Sequence, residues 1–438
     1  MPGSKGKAYF LEGVYMERIK DSIKKLYNSG ALHITVGSFF TKFVAFFGSI
    51  FVVRLLSKTD YGILQYVENL YSYALVLAGL GLGFAILRYV VKAEKEEKKT
   101  YMDYAVKNSM YRDIIICVLI IVLNFFVKYP DNFQSAKYYV PILAILLPFQ
   151  NLFTNGTYSL RAIFKNKEYA FVSCAVSVLL ILGRIVGAKT AGVGGVVWSR
   201  LIINALCAVI LTVYVYRIYP RADTNQLSKY AKKEVNVYSF QYMITSGLWV
   251  IFMLNDAFIL GLLTNDPAVV ADYKVAYVLP GNLSLVSNAI GIFVAPYFTR
   301  NETDKKWVQH NYKLTALINA AGVGIIALPL VLFAEPIISF IYGQSYINIV
   351  PLMRILLIGA FINSGFRYVT ANILSAMGKV KSNLVISSIG ILLQIALDIL
   401  LIPRYGAMGV AYSNCLVFTI MAVALFAVFY KTYYRKQS

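Results

Sequence analysis

Eight ionisable side chains fall inside stretches that are otherwise apolar, and any chemistry this sequence performs has to run through them. Five are basic (Lys42, Arg184, Arg200, Lys274 and Arg367) and three are acidic (Glu68, Asp256 and Asp398). A charge at mid-bilayer costs roughly 2.5–3.5 kcal/mol even on a lenient insertion scale. Turned toward lipid, these groups would together cost on the order of 20 kcal/mol or more, beyond what a typical fold is stable by. They are therefore expected to face water or one another. Arginine grips phosphate with a two-point fork and lysine offers a point charge, so an excess of deep cations favours an anionic cargo. The carboxyls are candidates for H⁺ or Na⁺ coupling, with neutralisation of Lys274 or Lys42 as the plainer alternative. Arg54, Arg88 and Arg354 lie near span ends, where a long side chain reaches the interface.

Hydrolytic and nucleotide chemistry finds little support. The sequence has no GxSxG, HExxH, GxGxxG or P-loop pattern. Cys117, Cys174, Cys207 and Cys415 stand singly in apolar runs, without CxxC spacing, and read as small apolar fillers. His33 and His310 are too few and too far apart in sequence for a metal site. No enzyme, metal or cofactor is expected, apart from a coupling H⁺ or Na⁺.

The elements that must position the charges follow from composition. The chain has 438 residues, 58% hydrophobic and 14% charged, with mean hydropathy +0.63. Soluble domains carry about 25% charged residues, so this is the composition of a multi-pass membrane protein. Spans of roughly 20 apolar residues number about twelve. They lie near 32–56, 61–91, 110–128, 138–158, 169–189, 192–216, 236–262, 268–298, 312–334, 350–376, 382–403 and 406–430. The formal charge of +21 could suggest nucleic acid. Its placement argues otherwise: with the N-terminus inside, the basic residues gather in alternate loops and leave only Lys58, Lys128, Lys137, Lys189 and Arg404 outside. That bias predicts an even number of spans, with both termini cytoplasmic. Residues 1–31 form a basic leading segment, whose Ile19, Ile23, Leu26 and Tyr27 could rest on the inner membrane surface. Met16 looks like a natural start, which would make residues 1–15 an extension or a start-site choice.

The chain also repeats itself. GRIVGAKTAGVGGVVWSR at 183–200 is echoed by LDILLIPRYGAMGVAYSN at 397–414. A fixed separation of 214 residues, set by Leu160 and Leu374, aligns Ala162 with Ala376, Lys165 with Lys379 and Lys167 with Lys381. It also aligns Gly192 with Gly406, Gly195 with Gly409, Ser199 with Ser413 and Trp198 with Tyr412. Arg184 then falls on Asp398. An internal duplication with about six spans per half follows, with an N-lobe at 32–225 and a C-lobe at 226–438. This is the parallel-repeat plan of many transporters, with the substrate path between the halves.

Three stretches carry a family resemblance. RLLSKTDYGILQYVENLYSYALVLAGLGLGFAILRYV at 54–90 resembles the N-terminal signature of polysaccharide-biosynthesis flippases. NILSAMGKVKSNLVISSIGILLQIALDILLIPRYGAMGVAYSN at 372–414 resembles their C-terminal half, and YGQSYINIVPLMRIL at 342–356 the loop before it. NDAFILGLL at 255–263 resembles a place where the family often sets an Asp before an apolar run, Asp256 here. The likeness is to the O-antigen and capsule repeat-unit flippases, in the superfamily of lipid II flippases and multidrug extruders. It implies a two-lobed all-α bundle of about twelve helices around a central cavity. The implied cargo is a sugar chain on undecaprenyl pyrophosphate, moved outward across the inner (plasma) membrane of a bacterium or archaeon by alternating access. Partners would be that lipid-linked oligosaccharide, the bilayer and other polysaccharide-assembly membrane proteins. The rivals are a cation-coupled multidrug exporter and a membrane polymerase or ligase. The first would want an acidic or aromatic cavity. The second would want a substantial outer loop, whereas the longest here, near 335–349, has Glu335 as its only acid.

Overall fold

The computed structural model describes residues 31–95, 97–219 and 227–434. The apolar face expected at 19–27 lies outside them. Among the described residues the secondary structure is helical, with no strand. In chain order the helices are α1 (Ala31–Leu55), α2 (Lys58–Val90, broken at residues 79–81), α3 (Lys98–Phe126), α4 (Ala136–Ala162), α5 (Asn166–Ile218) and α6 (Lys229–Thr264). There follow α7 (Pro267–Asn282, continued by Ser284–Arg300), α8 (Lys305–Leu332), the short α9 (Ala334–Tyr342), α10 (Val350–Ile362, continued by a wider turn and Val369–Ala376), α11 (Val380–Tyr405) and α12 (Ala407–Tyr433).

Eight of these helices are long and apolar enough to cross a membrane, or ten if the two bent stretches α6 and α7 each count as one span. The chain is a multi-pass membrane protein. The sequence reading of about twelve spans counts the two arms of α5 separately and includes α4. At 1.5 Å per residue the 53 residues of α5 would run about 80 Å, more than twice a hydrocarbon core. The helix does not run straight, because Ala191 and Gly192 leave the helical region. Gly192 sits at φ 57°, ψ −137°, a conformation open in practice only to glycine. α4 has the length of a span at 27 residues, but Pro141, Pro148 and its polar end keep it outside the eight.

The helix starts are written locally. Asp266 caps α7, its carboxylate accepting from the Ala268 N–H at 2.8 Å, with Pro267 at the first helical position. Asp304 caps α8 by accepting from Trp307 N–H at 3.0 Å. At the start of α2 the Ser57 hydroxyl accepts from Asp60 N–H, and Lys58 pairs with Asp272 of α7 at 2.6 Å.

Two compact units form, interleaved in sequence. The first holds the residues up to Leu55, Tyr71–Val127 and Lys137–Val250; the second holds Leu56–Leu70, Lys128–Ala136 and Ile251 onward. Each has a core where α3 or α8 meets the ends of a helical hairpin. In the first unit Met102, Val106, Leu160, Leu211, Val215 and Tyr219 are buried together. In the second it is Val308, Tyr312, Leu374, Leu425, Phe429 and Tyr433. The last four members of each set stand 214 residues apart, and the first two 206 apart. Ser109, Asp113 and Cys117 of α3 are likewise buried 206 residues before buried Thr315, Asn319 and Val323 of α8.

Candidate functional site

The repeated hairpins place three of the eight deep charges, Arg184, Arg200 and Asp398. In α5 the arms 166–190 and 193–218 fold back on each other at Gly192, and α11 and α12 do the same at Gly406 (φ 55°, ψ −134°). Gly195 lies so close to the Gly187 carbonyl that a Cβ would collide with it, as would a Cβ on Gly409 with the Leu401 carbonyl. Upstream, Lys165 N–H donates to Leu160 O at 2.9 Å and Lys379 N–H to Leu374 O at 2.8 Å. Phe164 and Gly378 both take positive φ, at 60° and 77°.

On this shared backbone the side chains differ. In the second unit α11 and α12 contribute to a buried polar cluster. Asp398 is fully buried, and its Oδ1 accepts from Gln394 Nε2 at 3.2 Å. Asp256 of α6 is 7% exposed and accepts from Asn414 Nδ2 of α12 at 2.9 Å and from the Tyr273 hydroxyl of α7 at 2.8 Å. Asp256 and Asp398 are near enough for each to feel the other's charge. Gln394 Oε1, Asp398 Oδ2 and Ser413 Oγ are buried beside them, with Ser413 near enough to act on the Asp398 carboxyl. Lys274 of α7 donates to Asn69 Oδ1 at 3.4 Å, while Asn69 Nδ2 donates to Leu254 O at 3.0 Å. The carboxyls of Asp256 and Glu68 both act on Lys274 through their charge. All three acidic residues singled out in the sequence lie in this unit: Asp256 and Glu68 act on Lys274, and Asp256 on Asp398.

The expected ion pair between Asp256 and Lys274 does not form. The ion pairs among the described residues are Lys58–Asp272 and Lys165–Glu168. Two neutral donors share Asp256 Oδ2, and Lys274 turns to Asn69. Adjacency of two helices in sequence fixes neither helix rotation nor which side chains meet. The deep charge is also not basic throughout. Lys42, Arg184 and Arg200 lie in the first unit, whereas the second holds Glu68, Asp256 and Asp398 together with Lys274 and Arg367.

The other basic candidates have surroundings of their own. Lys42 is exposed on α1 and Arg184 half-buried on α5. Arg200 holds its guanidinium 4.9 Å over the ring of Tyr71. Arg367 is 3% exposed and donates to Asn363 Oδ1 at 3.0 Å, inside the widened turn of α10. Of the three residues placed at span ends, Arg88 stacks on aromatic rings and Arg354 donates to Val331 O at 3.2 Å.

Asp113 was not among the candidates. It is fully buried in α3, where its carboxylate accepts from Gly79 N–H at 2.6 Å and from Asn151 Nδ2 of α4. Gly79 opens the break in α2, where Gly79, Leu80 and Gly81 all take positive φ. Asp113 thus caps an unwound turn inside a span. The signal was present as an acid heading the apolar run DIIICVLIIVLNFF, within the stretch 110–128. Asn319, at the matching place in α8, donates to Ser364 O and Gly365 O of α10, both at 2.8 Å.

A model of the family described as "Polysaccharide biosynthesis protein" matches residues 28–302, more than half of the chain. The chain belongs to this family. A curated relative, the uncharacterized membrane protein MJ1068 of Methanocaldococcus jannaschii, is 23% identical over 411 residues, covering 86% of this chain and 79% of its own. Among solved structures, the inward closed conformation of the lipid II flippase MurJ superposes with a TM-score of 0.70 at 16% identity, covering 90% of this chain and 87% of that one. The inward-facing conformation of a multidrug resistance MATE family transporter of the MOP superfamily gives 0.67 at 13%, covering 91% and 96%. At these identities the likeness is one of fold. This family member has the architecture of MOP-superfamily transporters, and the solved structures it resembles are of transporters rather than enzymes.

Proposed function

We propose that the protein is a flippase that carries an undecaprenyl-pyrophosphate-linked oligosaccharide, an O-antigen or capsule repeat unit, from the inner to the outer leaflet. Family membership supports a transporter of polysaccharide assembly. The observation that carries the rest is the pair of equivalent hairpins with opposite charge. Arg184 and Arg200 stand in one where Asp398 and Asn414 stand in the other. In this reading Lys42, Arg184 and Arg200, with Lys274 and Arg367, attract the pyrophosphate and any acidic sugars, while the polyprenyl tail stays in lipid. Asp256 and Asp398, with Glu68 nearby, bind H⁺ or Na⁺ and reset the empty carrier.

The motion is alternating access by the lobes 32–225 and 226–438, with both termini cytoplasmic in the inner membrane. An inside-negative potential assists, since each negative charge moved outward gains roughly 2.3 kcal/mol per 100 mV. The test is reconstitution with labelled undecaprenyl-pyrophosphate oligosaccharide and a leaflet-specific probe. Wild-type protein should move label to the far leaflet, and the Lys42→Ala, Arg367→Ala double variant should slow it. Transfer unchanged by that double variant would remove these two residues from the cargo path.

A further inference from the structure

Within the first unit, six aromatic rings touch in an unbroken chain. Tyr101 stacks on Tyr89 at 5.9 Å between centroids, and Tyr89 meets Tyr238 edge to face at 5.7 Å. Tyr238 leads to Tyr242 at 6.1 Å, Tyr242 to Phe84 at 4.1 Å, and Phe84 to Tyr158 at 5.7 Å. The chain draws on α2, α3, α4 and the first half of α6. It starts at the helix ends that border the lysine-rich loop at 92–99 and runs inward along α6. Tyr89, Tyr101, Tyr104 and Tyr238 pack against a small core of Leu82, Ala85 and Val235, yet none of the four is fully buried, and Tyr242 is 42% exposed.

Cations flank the rings. The Arg88 guanidinium sits 4.6 Å over Tyr238 and 5.8 Å over Tyr89, and Lys232 Nζ lies 6.0 Å over Tyr104. Arg112 donates to Asn236 Oδ1 at 2.6 Å, and Asn236 Nδ2 donates to the Tyr104 hydroxyl at 2.7 Å. Among the described residues none of the three cations lies within ion-pair distance of a carboxylate. One carboxylate, Glu234, accepts from the Tyr89 hydroxyl at 3.1 Å. Flat rings suit the C–H faces of pyranoses, and guanidinium groups suit diphosphate oxygens.

We propose that this ladder is a binding track for a glycosyl diphosphate, in which Tyr89, Tyr238 and Tyr242 stack on the sugars while Arg88, Arg112 and Lys232 hold the diphosphate. The inference rests on reading the cargo as a lipid-linked sugar diphosphate and gives that cargo a docking place in the first unit.

The test measures binding of farnesyl diphosphate carrying chitobiose to the full chain in nanodiscs, with free chitobiose and inorganic diphosphate as separate arms. Wild type should bind the conjugate more tightly than either part. Tyr238→Ala should weaken the conjugate about fivefold while leaving inorganic diphosphate unchanged, and Tyr238→Phe, which keeps the ring, should match wild type. Arg112→Gln should weaken both the conjugate and inorganic diphosphate about tenfold, with Arg112→Lys recovering part of the loss. Equal binding of the conjugate by wild type, Tyr238→Ala and Arg112→Gln, all folded by thermal unfolding, overturns the track. So does a wild type that prefers inorganic diphosphate alone. The flipping assay separates the two levels. A wild type that moves the lipid-linked oligosaccharide with both variants unimpaired refutes the track alone, whereas a wild type that moves none refutes the cargo.

Discussion

At Gly192 the chain turns from one arm of α5 to the other, and at Gly406 it turns from α11 to α12 with dihedrals that agree within a few degrees. The same backbone contacts follow on both sides of each turn, and the same residues 214 apart fill the cores at the far ends. What differs is the chemistry carried: Leu180, Arg184 and Arg200 in one copy, Gln394, Asp398 and Asn414 in the other. Backbone geometry is shared because a turn through a glycine-only region and a contact without room for a Cβ accept almost no alternative. Side-chain charge diverges because a deep site needs only that its charge be solvated or hydrogen-bonded by neighbours. In the second copy Asn414 and Tyr273 do that for Asp256, and Gln394 does it for Asp398.

The comparison can be broken in steps, beginning where the copies differ. Asp256→Ala removes the acceptor that Tyr273 and Asn414 share. Initial flipping in proteoliposomes should fall about 100-fold, since two buried donors lose their partner as well as the coupling carboxyl. Arg200→Ala in the other copy should instead raise the concentration needed for half-maximal flipping about tenfold. The shared cores should respond alike. Leu211→Ala and Leu425→Ala each leave a cavity in matched positions and should each cost about 2–5 kcal/mol in thermal or denaturant unfolding.

The turns give a sharper and smaller test. An added Cβ at Gly192 or Gly406 meets nothing within 4 Å, so the cost of alanine is purely conformational. Each substitution should cost about 1–3 kcal/mol, equal within error in melting experiments. A loss at one turn only would show that the correspondence is not energetic. The smallest effect belongs to the aromatic pair beyond the turns. Trp198 is 50% and Tyr412 40% exposed, so Trp198→Ala and Tyr412→Ala should each shift stability by less than about 0.5 kcal/mol.

Much of this was legible in the sequence for physical reasons. Spans announce themselves by length and hydropathy, and the duplication shows where glycines and lysines hold positions that backbone geometry and loop charge demand. The match between α3 and α8 was not legible. Asp113 and Asn319, or Val106 and Tyr312, share burial rather than residue type, and the eight-residue difference in register lies in the connection that includes α9. The break at residues 79–81 was written as AGLGLG, but its cap, Asp113, comes from another helix. The acid cluster was half legible. Asp256, Asp398 and Glu68 stood out as charges in apolar runs, while their hydrogen-bond partners depend on helix rotation, which the apolar pattern of fully apolar spans leaves open.

The central proposal is a division of labour: the buried acids Asp256 and Asp398 sense the coupling ion, and the basic residues, Arg184 and Arg200 among them, attract the cargo. It is tested most directly by flipping of labelled lipid-linked oligosaccharide in proteoliposomes under an imposed Na⁺ or H⁺ gradient. Two double variants, Asp256→Asn with Asp398→Asn and Arg184→Gln with Arg200→Gln, are compared with wild type. The account predicts that the first pair loses the response to the gradient but keeps the wild-type concentration dependence for cargo, and that the second pair does the reverse. Loss of both properties together in each pair, or of neither in either, would contradict it.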